Sequence, residues 1–102
     1  MNPAQVNRQQ IVKLTDLPNI GPSMAADLQV IGIQKPAELI AQDPFEMYHT
    51  LCRITGVRHD LCVLDAFISI TRFMDGQPAK PWWHFTSERK QQLLLKLEQT
   101  AS

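Results

Sequence analysis

His49 and Cys52 stand three positions apart, as do His59 and Cys62, the spacing that sets two side chains on one face of a helix. Imidazole and thiolate are ligands that zinc favours, and four of them could complete a tetrahedral site. A thiol beside an imidazole is also the pairing that activates a cysteine nucleophile. The rest of the chain supports neither chemistry. The pairs match no common zinc-finger signature, and both cysteines fall on apolar periodic positions, where a reduced cysteine behaves as a small hydrophobe. His49, Cys52, His59 and Cys62 therefore read as core, with no cofactor or metal expected. Their convergence on one point is what would revive a metal- or ligand-binding reading. The chain has no phosphate loop, serine elbow, dinucleotide fingerprint or paired-carboxylate signature, so nothing argues for catalysis.

Trp82 and Trp83, flanked by Pro81 and Phe85, are the other conspicuous group. Exposed indoles stack on bases or fill a partner's pocket. Buried, they seal helices together, with the prolines fixing an extended link. One ring is expected to clamp the fold, leaving the other open to the surface. Arg89 and Lys90 follow closely and either reach phosphate or solvate the last helix.

These residues sit in a chain of 102 amino acids, enough for one core and one domain. The apolar fraction is 44% and the formal net charge is zero, which excludes disorder by composition. Residues 1–51 carry three basic and five acidic side chains and the remainder seven and five, so any basic patch is local and lies in the second half. The longest apolar runs, such as Leu93 to Leu95, fall far short of the ~18 residues a membrane span needs. Met1 to Gln10 has no apolar signal segment, so a cytoplasmic protein with reduced thiols is expected.

Apolar spacing is helical nearly throughout. It predicts a first helix over about 4–14, a second opening at Pro22 and ending at Gly32, and a short one over Lys35–Ile40. Asp43-Pro44 opens another that Thr55-Gly56 closes, and Asp60 caps a densely apolar core helix carrying Leu61 through Met74. A last helix starts at Thr86/Ser87-Glu88 after the Pro-Trp-Trp segment.

The most specific local signal is Leu17-Pro18-Asn19-Ile20-Gly21-Pro22-Ser23-Met24-Ala25, a turn between two apolar segments with a glycine where room is tight. It resembles the helix-hairpin-helix motif, in which amides at the second helix's start donate to a DNA phosphate. A helix amino end carries unpaired donors and partial positive charge, so the chemistry is sound. Asn19 stands where that motif usually has its first glycine, and asparagine reaches left-handed conformations more readily than most residues. No Lys or Arg follows Gly21, which leaves the Ser23 and Met24 amides and the Ser23 hydroxyl as donors. The plainer alternative is a turn that packs two helices and touches nothing. A degenerate second copy, Ile54-Thr55-Gly56-Val57-Arg58, lies 37 residues on and brings Arg53, Arg58 and His59.

The resemblance widens over most of the chain. The hairpin, Asp43-Pro44-Phe45, Thr55-Gly56, the His59–Asp65 stretch and Pro81-Trp82-Trp83-His84-Phe85-Thr86 together resemble the bacterial pathogenicity-locus family, whose members are often labelled mitomycin-resistance proteins. More distantly, the chain is similar to the C-terminal domain of TfoX-type competence regulators. Leu61 departs from the pathogenicity-locus pattern, which has proline there. The expected fold is all-α: a small bundle of about six short helices containing a helix-hairpin-helix motif, with a degenerate paired, pseudo-twofold form as its fuller version. Residues 1–102 would form one domain, with a first hairpin at about 11–31, a degenerate second at about 45–74, and the Pro-Trp-Trp segment and C-terminal helix over 78–100. The expected function is weak, sequence-independent DNA binding through Asn19, Gly21, Ser23 and Met24, aided by Arg53, Arg58 and Lys90. Its rivals are a protein-interaction module using Trp82 or Trp83, and a Cys/His ligand-binding protein.

Overall fold

A computed structural model describes residues 3 and 6–101, with the side chains of the last helix described as far as Leu97. Four α-helices carry the fold: α1 (Pro22–Val30), α2 (Pro44–Thr55), α3 (Leu61–Met74) and α4 (Thr86–Ala101). Short 3-10 turns at Arg8–Gln10, Leu14–Asp16, Pro36–Leu39 and Trp82–Phe85 connect or precede them, and no strand occurs among the described residues.

The helix starts follow local chemistry. Asp43 and Asp60 each accept a hydrogen bond from the amide two residues on, at Phe45 and Cys62, both at 2.9 Å. Gly56 ends α2 in the left-handed conformation at φ 72°, where a Cβ is disfavoured, and its N–H closes on Cys52 O.

α3 is the axis. Nine of its residues are buried, among them Phe67, Ile68 and Ile70. On one side Phe67, Ile70 and Phe73 pack with Leu17, Ile20, Leu28, Leu39 and Leu51. On another, Leu64 and Ile68 meet Phe85, with Phe45 and Leu93 against them. Each such Leu, Ile or Phe side chain contributes about 1.5–3 kcal/mol through burial.

The predicted helix over about 4–14 is absent from the described part of that span. Asn7 accepts from Gln9 N–H, and the Asp16 carboxylate accepts from both Val12 and Lys13 N–H at 3.1 and 3.0 Å. Amides held by nearby side chains are lost to a helical ladder. Arg8 completes the diversion by donating to Phe73 O and Gln77 O at the carboxyl end of α3, with its guanidinium 3.9 Å from the Phe73 ring centroid. That end carries partial negative charge and suits a cation. The short helix over Lys35–Ile40 tightens into a 3-10 turn for a similar reason, Glu38 accepting from Gln34 and Lys35 N–H. The hairpin at about 11–31 thus has an α-helix on its second arm only, where two matched arms were expected.

The Pro-Trp-Trp segment also differs from expectation. Trp82 begins a 3-10 turn that runs directly into α4, and the ring entering the core is Phe85, 6% exposed. Trp82 and Trp83 are 37% and 62% exposed, so neither is enclosed in the core and Trp82 is the more covered of the two. Arg89, expected at the surface, is buried: its Nε donates to Asp65 Oδ1 at 2.8 Å, while Thr86 donates to Asp65 Oδ2 at 2.9 Å.

Candidate functional site

Leu17, Pro18 and Ile20 are buried, so the turn before α1 is pressed into the core by its apolar residues. Between them Asn19 takes the left-handed conformation at φ 68°. Its amide Nδ2 donates to Ser69 Oγ at 3.0 Å and to Lys80 O at 2.7 Å. One side chain therefore fastens the turn both to the middle of α3 and to the segment that leads into the tryptophans.

Gly21 behaves differently from expectation. Its φ of −94° and ψ of −178° are extended and open to any residue, and a Cβ there would meet nothing within 4 Å. Asn19 makes the tight turn, and Gly21 leaves an open, exposed approach to the start of α1. Pro22 occupies the first helical position without an N–H, and the first ladder bond runs from Ala25 N–H to Gly21 O. The Ser23 and Met24 amides precede that bond, and α1 has neither a side-chain cap nor an acidic residue in its first turn. Ser23 is exposed and Met24 half-buried. Such an end presents donors and partial positive charge to an anion.

The second hairpin resolves otherwise. α2 and α3 are joined through left-handed Gly56, but Asp60 already occupies the amino end of α3. The Cys62 amide, and then its thiol, hold the Asp60 carboxyl below the usual carboxylate range. This segment therefore offers cations while the Cys62 amide at the start of α3 is already taken. Arg53 and Arg58 are exposed near the α2–α3 connection, and Lys90 is exposed on α4. Ser69, where the first turn is fastened, lies about 12 Å of helix rise along α3 from Leu61. Among the described residues, no hydrogen bond or ion pair joins Arg53, Arg58 or Lys90 to the α1 turn. Lys80 is tied to that turn through its carbonyl, a link that spans 61 positions and leaves no signal in local sequence.

The histidines and cysteines do not gather, and they are not the core residues expected: His49 is exposed, and Cys52, His59 and Cys62 are half-buried where α2 ends and α3 begins. His49 lines a groove of about 430 Å³ with Phe45, Tyr48, Leu64 and Leu93. His59 meets Cys52 through its backbone N–H, 3.5 Å from Sγ, while its ring bonds Thr55 Oγ1 at 2.9 Å and its carbonyl accepts from the Tyr48 hydroxyl. Burial, then the Asp60 carboxylate, push the Cys62 thiol up, away from the reactive thiolate. Burial likewise raises the Tyr48 phenol, with Arg58 acting against it. No group of three or more His, Cys, Asp or Glu placed to hold a metal occurs among the described residues.

A family model described as Cdd1, pathogenicity locus, matches residues 7–91, from the N-terminal segment to the second turn of α4. Over 80 residues the chain is 44% identical to a protein named mitomycin resistance protein McrB from Streptomyces lavendulae, covering 78% of this chain and 76% of the relative. No solved structure matches.

Proposed function

We propose, for a chain that belongs to the pathogenicity-locus family Cdd1, a function as a small nucleic-acid-binding module that takes a backbone phosphate at the amino end of α1. The turn Leu17–Met24 would act in the manner of a helix-hairpin-helix, with the Ser23 and Met24 amides and the Ser23 hydroxyl as donors. One observation carries this reading: α1 alone of the first three α-helices starts with no side chain on its amides, behind an exposed glycine whose missing Cβ leaves the approach open. Lys80, whose carbonyl is held by Asn19, is an exposed cation on the segment fastened to this turn, and Arg53, Arg58 and Lys90 add cations elsewhere on the surface.

A site built on amides and lysines reads phosphate and no base edges, so binding is sequence-independent. With few cations and zero net charge it is weak, near the ~10⁻⁴–10⁻⁶ M range of non-specific complexes, and falls as salt rises. Fluorescence anisotropy with short labelled DNA, from low to physiological salt, tests this on the native chain and on Gly21→Glu. The open space at Gly21 accommodates the new side chain, so loss of binding would report charge and not misfolding. Absence of binding by the native chain at low salt refutes the proposal.

A second reading, a protein-interaction module of the same fold, requires an exposed apolar patch containing Trp82 or Trp83 and draws on the 62% exposure of Trp83.

A further inference from the structure

We propose that Trp82 and Trp83 form a stacking platform for unpaired bases, flanked by Lys80 and Lys90 for the adjoining phosphates, so that the ligand is single-stranded nucleic acid. The proposal rests on the nucleic-acid reading above and adds to it which strand state is taken and by which side chains.

Packing leaves most of Trp83 and a substantial part of Trp82 uncovered. Phe85 fills the core position of this turn, while Trp83 remains 62% exposed and Trp82 37%. Their centroids lie 5.5 Å apart with planes at 86°, an edge-to-face pairing that holds the rings without covering both faces of either. The turn beneath them is held from three sides. Phe85 is inserted against Leu64 and Ile68, the Asp65 carboxylate binds Thr86 and Arg89 just beyond, and Asn19 holds Lys80 O just before. Exposed aromatics on so firmly fixed a base are pre-organised for a planar ligand.

The surrounding charge selects among planar ligands. Lys80 and Lys90 have no carboxylate partner among the described residues, and the nearby Glu88 is committed to Arg72. Because the 3-10 turn continues into α4, Lys90 projects on nearly the same side as Trp83, about 12 Å along the axis. Unpaired cations at both ends of an aromatic pair complement a polymer that alternates phosphate with flat rings. In a duplex the base faces are already stacked on one another, so rigid surface indoles find faces only on an unpaired strand. The Asn19 to Lys80 bond sets this platform beside the α1 turn, and one strand can meet both.

Trp82 and Trp83 are the chain's two tryptophans, so intrinsic fluorescence reports this surface directly. The experiment titrates oligo(dT), the matching duplex and base-free polyphosphate into the native chain, Trp83→Ala, Trp83→Phe and Gly21→Glu, reading tryptophan quenching and, for labelled DNA, anisotropy. The expected result is quenching by oligo(dT) well beyond that by polyphosphate, tighter binding of oligo(dT) than of duplex, a loss of about 5- to 100-fold on Trp83→Ala and retention by Trp83→Phe. Equal quenching by polyphosphate, or oligo(dT) affinity unchanged in Trp83→Ala, overturns the platform; in the latter case loss of binding in Gly21→Glu would keep the α1 reading intact. Binding of oligo(dT) that survives Gly21→Glu and fails in Trp83→Ala upholds the platform and removes the α1 site. No binding of either DNA form overturns both and returns the indoles to a protein partner.

Discussion

Replacing Gly21 with aspartate should move stability and binding in opposite directions, for one structural reason. Gly21 already has the extended backbone of a helix N-cap, and a Cβ there meets nothing, so Gly21→Asp introduces a capping side chain without strain. The new carboxylate can accept the Ser23 or Met24 amide, as Asp43 and Asp60 do at the next two helices. An aspartate cap improves on glycine by a few tenths of a kcal/mol. Negative charge at a helix start adds about 0.3–1 kcal/mol, and removing a glycine from the unfolded chain about 0.4–1 kcal/mol. The gain should be about 1–2 kcal/mol, which for a domain of this size raises Tm by roughly 5–10 °C. The same carboxylate takes the place proposed for the phosphate, so DNA affinity should fall, most visibly at low salt. Thermal unfolding followed by far-UV circular dichroism and anisotropy on the same preparations measure both effects. A lower Tm would refute the cap geometry; a higher Tm with unchanged DNA affinity would refute the placement of phosphate at α1.

Three other perturbations follow from contacts already described. Arg89→Ala leaves the fully buried Asp65 carboxylate with Thr86 alone among its two side-chain partners and should cost about 3–5 kcal/mol, read as a fall in the urea midpoint; a loss under about 1 kcal/mol would show that the pair is dispensable. Asn19→Gly keeps the left-handed backbone available but removes both side-chain bonds, whereas Asn19→Ala also forces a Cβ into φ 68°, so urea unfolding should find Ala the worse of the two by about 1 kcal/mol. The Lys13 and Val12 amides hold the Asp16 carboxyl below its ordinary value, so its contribution is complete above the unfolded value of about 3.9 and disappears as pH falls through the lower folded value. Asp16→Asn should therefore flatten the acid limb of a stability-against-pH curve, and an unaltered limb would dismiss the pinch at residues 12–16.

Much of the architecture is legible where one residue acts on its own neighbours. Asp43, Asp60, Pro22 and Gly56 mark helix ends because capping and left-handed closure operate within a few positions. The dense apolar run from Leu61 to Met74 announces the central helix for the same reason. Periodicity misleads where a polar side chain competes with it or acts at long range. Val6, Ile11 and Leu14 have helical spacing, but spacing is blind to Asp16 taking two amides and to Arg8 reaching carbonyls 65 and 69 positions away. Arg89 has the sequence context of a solvated cation because its partner lies 24 residues back on another helix. At the candidate site the turn, the uncapped amides and the left-handed tolerance of Asn19 are readable from local residues. The adjoining Lys80 and the outward position of both indoles depend on how α3 and α4 pack, which no local pattern encodes.

The Asp65–Arg89 pair also decides which way α4 faces. Leu93, Leu94 and Leu95 follow one another, three chemically equivalent choices about 100° apart around the helix. Hydrophobic contact is non-directional and would accept any of them, so an apolar seam alone leaves the helix free to roll. Only the roll that brings Arg89 onto Asp65 lets the buried carboxylate keep its partner, and it turns Leu93 inward while Leu94 and Leu95 stay 61% and 54% exposed. The ion pair thus works as an indexing pin. Whatever Lys90 and Ser87 present to the outside is aimed by a contact on the buried side of the same helix.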